Sequence, residues 1–143
     1  MTAVHIVLGV AVVVVNLAAG LLGAYKWHRD EYSPTFWVLL RTGQALVVIE
    51  VLQGAVLLLM GEELPRLHLI YGLVPLGVAF IAEQLKLTSA QAILDQRGVA
   101  SARELAPDDA EDAALDILRR EMGVMAASAV VVAALGLRAG GVL

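Results

Sequence analysis

Apolar residues in this chain gather into four long runs, about Val4–Tyr25, Phe36–Met60, Leu67–Leu85 and Met122–Leu137. Each approaches or exceeds the roughly 18 residues that a helix needs to cross a bilayer. The polar interruptions are short at the first two junctions (Lys26–Pro34 and Gly61–Arg66) and long only at the third, over residues 86–120. A connection as short as the second makes the second and third helices antiparallel neighbours. The pattern therefore predicts an all-α integral membrane protein, a four-helix up-down-up-down bundle forming one transmembrane domain over residues 1–143. Within the third loop, Thr88–Gln96 and Asp108–Arg120 keep a helical spacing. Pro107-Asp108-Asp109 forms a suitable first turn for the latter, so two short surface helices are expected there.

Composition strengthens this reading. The chain is 59% hydrophobic, against roughly 45–50% in soluble domains, and its mean hydropathy is +0.80. Met1-Thr2-Ala3 has no basic flank, and Ala24-Tyr25-Lys26 is a poor cleavage site, so the first run is expected to be a retained helix and not a secretory signal.

Charge sets an expected orientation. Lys26, Arg29 and Arg41 surround the first loop and Lys86, Arg97, Arg103, Arg119 and Arg120 the third, with only Arg66 and Arg138 on the opposite side. By the bias of basic residues toward the cytoplasm, loops one and three face inward and both termini outward. An Ala-, Gly- and Val-rich composition suits a high-GC bacterium, hence a bacterial cytoplasmic membrane. The net charge of −4 comes largely from acids of the third loop, and nothing recommends a nucleic-acid partner.

The chain has no cysteine. Disulfides, thiolate ligation and covalent heme attachment are thereby excluded, and imidazole is left as the only strong soft-metal ligand. Two helices open with the same short phrase, His5-Ile6-Val7-Leu8-Gly9 and His68-Leu69-Ile70-Tyr71-Gly72. One histidine at a helix end is ordinarily just interfacial, as His28 beside Trp27 is read. Two at matched depth on diagonal helices, each with a glycine one turn on, suit a flat macrocycle held between them. The expected site is a heme b ligated by His5 and His68 near the outer face, with Gly9 and Gly72 as bare helix surface and Arg66 pairing with a propionate.

Polar residues inside the spans add to this. Glu50, near the bilayer centre, should face the bundle interior, with Asn16 as its expected partner. The stripe His5, Gly9, Val12, Asn16, Gly20, Gly23 would also let helices approach closely. Glu50 with Gln53 is the only polar patch suited to catalysis, proton handling or a quinol.

The stretch Ala45–Leu76, with its Gln/Gly- and Leu/Val-rich helix leading through Leu64-Pro65-Arg66 into Leu67-His68-Leu69, resembles heme A synthases. The helix beginning at His5 resembles that family's preceding helix, which carries the partner ligand. The resemblance spans roughly residues 4–83 and implies that His5 and His68 are the axial pair of one four-helix half, the family being built from two. Thr2 and Ile6 stand where that family has an acid and an arginine, which argues against the synthase reaction. A single half also lacks the second heme site unless it dimerises.

The expectation is a membrane heme b-binding protein for electron transfer or heme handling, not an enzyme by itself. Its partners would be the lipid bilayer and either a second copy or a larger respiratory or heme-handling complex, with a quinol as a candidate. The alternative is a cofactor-free accessory or assembly subunit, in which the histidines are interfacial and the third loop docks a partner.

Overall fold

The computed structural model describes residues 3–62 and 65–142. Among these, four helices carry the architecture: α1 (Ala3–His28), α2 (Pro34–Leu59), α3 (Arg66–Gln96) and α4 (Pro107–Ala139), with one turn of 3-10 helix at Ala102–Glu104. All four are long and apolar enough to cross a membrane. Of the second loop, Glu63 and Leu64 lie outside the described residues.

Local chemistry explains the helix ends. Ser33 caps α2, its Oγ accepting from the Phe36 amide at 3.2 Å, and Pro34 takes the first helical position. Pro107 opens α4 in the same way, followed by Asp108 and Asp109 in the first turn, as the sequence suggested. At the end of α3, Gly98 adopts φ +72° while the Gly98 amide donates to Asp95 O and the Val99 amide to Leu94 O. This is the glycine-closed helix terminus in which two otherwise orphaned carbonyls find donors. Asp30 (φ 55°) does the same work after α1 without being a glycine, and its carboxylate meets Arg119 at 2.8 Å.

The third loop differs from expectation in one respect. Thr88–Gln96 and Asp108–Arg120 are helical, yet they are not separate surface helices: the first continues α3 and the second begins α4. No proline or glycine falls between Val78 and Gln96 in α3, or between Asp108 and Met122 in α4, and the residues there are mostly good helix formers. At 1.5 Å per residue, helices of 31 and 33 residues exceed a hydrocarbon core of roughly 30 Å. They therefore project beyond it as a hairpin, held by Arg97 with Asp116 at 2.8 Å.

α4 packs along both α1 and α3, α1 also packs on α2, and α2 touches α3 only sparingly. α1 and α3 thus stand diagonally, as do α2 and α4. The dense core lies toward the hairpin end, where Phe36, Leu40, Met122, Met125 and Ala126 are buried together. Close approach there depends on small residues: a Cβ added at Gly20 would fall 2.6 Å from Val130 Cγ2 and 3.0 Å from Val130 N. At the opposite end the bundle is hollow.

Candidate functional site

The hollow end is built on two histidines that occupy equivalent places, each the third residue of its helix. His5 on α1 is only 6% exposed, unusual for a polar side chain so near a helix start. Its Nε2 lies 3.5 Å from His68 Nε2. The ring centroids are 5.7 Å apart and the ring planes cross at 63°. The two Nε2 atoms are therefore facing tips of rings that point at one another across the diagonal.

The rear nitrogens are engaged by different groups. His68 Nδ1 is 3.2 Å from the Ala139 carbonyl oxygen at the end of α4. A carbonyl can only accept, so this Nδ1 carries the proton and donates, which leaves a lone pair on His68 Nε2 directed at His5. His5 Nδ1 lies 3.0 Å from Glu50 Oε1, within ion-pair distance. The direction is poor for a hydrogen bond, and His5 Nδ1, Glu50 Oε2 and Gln53 Oε1 are all buried without hydrogen-bond partners.

Two cavities flank the pair. One of about 570 Å³ runs between α1, α3 and α4 and is lined by Gly9, Val13, Tyr71, Pro75 and Gly136 among others. The other, about 260 Å³, lies toward α2 and α3 and is lined by Val51, Gly54, Leu58, Leu69 and Leu73. His5, Glu50, His68 and Gly72 border both. The larger falls within the roughly 300–1,000 Å³ typical of small-molecule sites, and the walls are apolar except for the histidines, Glu50 and Tyr71.

The expected site residues thus separate into groups. His5, His68, Gly9 and Gly72 line one cavity system, and Glu50 joins them. The two glycines act differently: a Cβ at Gly72 would meet nothing within 4 Å, whereas at Gly9 it would lie 3.3 Å from Glu50 Oε1. Arg66 is exposed at the first turn of α3 and does not line either cavity. His28 lies at the other end of α1, exposed.

Asn16 is not the partner of Glu50. Its Nδ2 donates to Val12 O at 2.8 Å, and its amide sits against Gly43, where a Cβ would fall 2.8 Å from Oδ1. The cause is register. α1 and α2 run antiparallel with Asn16 opposite Gly43, so Glu50, two turns further on, falls opposite Gly9 and close to His5.

The contribution of α4 was not foreseen from the sequence. Gly136, Ala139 and Gly140 form a cavity wall, Ala139 supplies the acceptor for His68, and the Arg138 guanidinium lies 5.8 Å from the centre of the Tyr71 ring. The signal available was Gly136 with Gly140, a pair of small residues one turn apart at the end of an apolar run. Among the described residues no cluster of three or more His, Cys, Asp or Glu side chains could hold a metal ion. A chelate built from protein ligands alone has no support there, whereas a macrocycle needs only the two axial donors. Comparison with family models, curated proteins and solved structures gave no match for this chain.

Proposed function

We propose that the protein is a membrane heme b-binding protein in which His5 and His68 are the axial ligands, serving electron transfer or heme handling. The observation that carries this reading is the head-on pair of Nε2 atoms with an apolar cavity on either side. The donor set fits the group. Two imidazole nitrogens face each other at 3.5 Å, and such nitrogens bond metals at about 2.0–2.1 Å. A heme held by these two residues would supply one-electron transfer.

The remaining chemistry belongs to the chain. The Ala139 carbonyl fixes the His68 tautomer with its lone pair inward, and Glu50 stands behind His5 with Oε1 3.0 Å from Nδ1. Val12, Val13 and Val47 make the inner wall of the larger cavity apolar. Arg66 and Arg138 mark the end where carboxylate groups would seek charge, and the basic-residue bias puts that end outside.

The deciding experiment is spectroscopic. Protein purified from heme-replete cells should show a low-spin spectrum, oxidised and dithionite-reduced, that is lost in both His5→Ala and His68→Ala. A colourless wild-type preparation would instead favour the cofactor-free accessory subunit.

A further inference from the structure

We infer that the bound porphyrin enters and leaves sideways, from the lipid, through a window between α2 and α3, so that the protein takes up membrane-dissolved heme. This rests on the heme reading and extends it to the source of the ligand.

Three observations converge on the window. The 260 Å³ cavity reaches from the histidine pair to the bundle surface, because Leu58 (43% exposed), Leu69 (38%) and Leu73 (48%) both line it and face outward. Two glycines leave open space along it: a Cβ at Gly54 on α2 or at Gly72 on α3 would meet nothing within 4 Å. The seam is also bounded at both ends. The Gly61 turn joins α2 to the next segment at the histidine end, while Arg41 and Gln44 both donate to Glu83 toward the hairpin end. Helices pinned at their ends with glycines between can separate locally without losing the bundle.

At the aqueous end the turn after α4 is closed by hydrogen bonds from the Gly141 amide to Arg138 O and from the Val142 amide to Leu137 O, and Gly140 and Val142 line the larger cavity. A planar, largely apolar molecule meets only apolar side chains at the window, so transfer from acyl chains into the cavity never requires its apolar faces to be hydrated.

The absence of native cysteine makes the test direct. Ala55→Cys with Leu73→Cys places one thiol on each side of the window, and a short bismaleimide joins them; Leu58→Cys with Leu69→Cys is the second pair should the first fail to fold. Apoprotein in vesicles is mixed with heme-bearing vesicles, and the low-spin band is followed in time. Linking before mixing should slow uptake by about tenfold or more relative to the same variant unlinked, as expected when binding waits on a conformational change. Linking after loading should slow heme loss to an apomyoglobin scavenger similarly. Uptake and loss unchanged by the link, in a variant that binds heme, overturn the lateral route and leave the heme site standing. No uptake by the unlinked wild type overturns the heme reading and the route together.

Discussion

His68 is held in a single tautomer by an acceptor that cannot donate, and this gives the site its directionality. The Ala139 carbonyl takes the Nδ1 proton, so the lone pair of the other nitrogen looks across the diagonal to His5. Behind His5 the neighbouring group is Glu50, whose Oε1 lies 3.0 Å from Nδ1. Replacing an outer partner of a metal-bound histidine typically costs roughly 10–100-fold in affinity. Glu50→Gln should accordingly weaken heme binding by about tenfold or more, which titration with hemin reads. A different residue governs acid sensitivity. Lys26 and then Arg29 donate to Glu31 in the α1–α2 turn and hold its carboxyl below the usual range. Its contribution to the folded turn is complete above the unfolded-chain value and disappears as pH falls through the lower folded one. Amide exchange at residues 29–33 should therefore accelerate only below about pH 4, and Glu31→Gln should remove that step.

Among the helices, the same substitution has opposite consequences at different glycines. A methyl at Gly20 would press on the Val130 side chain and backbone, which cannot move independently of α4. Gly20→Ala should destabilise the bundle by about 1–3 kcal/mol, the usual cost of overpacking. Gly54→Ala, into open space on α2, should be neutral or stabilising by up to about 1 kcal/mol through helix propensity. At Gly98, φ +72° and not crowding decides, so Gly98→Ala should cost about 1 kcal/mol or more despite empty surroundings. Denaturation in mixed detergent micelles measures all three. Small-residue spacing in the sequence marked Gly20; that it is an interface while Gly54 is not depends on α4 lying against α1 while α2 and α3 barely meet.

On the scale of the whole molecule, the bundle is densely filled toward the α3–α4 hairpin and hollow at the other end. This division separates a rigid frame from a ligand-sized space, and both histidines hang from the frame into that space. Orientation is testable in the same cysteine-free background. With Ala102→Cys, an impermeant maleimide should label only after permeabilisation of cells, whereas Gly141→Cys should label in intact spheroplasts. The reverse pattern would put the site end inside and overturn the charge-based orientation.

The four spans, their membrane character and the equivalent depth of His5 and His68 were legible in the sequence, because hydropathy and position along a helix are properties of the chain itself. So was the start of α4 at Pro107-Asp108-Asp109, a matter of local capping. Contacts between helices were not. Which face of α1 meets α2, and in what register, decided that Glu50 sits near His5 and not Asn16. The docking of α4 decided that a backbone carbonyl, invisible to any side-chain pattern, orients His68. Periodicity defines a stripe on one helix, but the partner of that stripe is selected only when whole surfaces pack, and that selection is made by the tertiary structure.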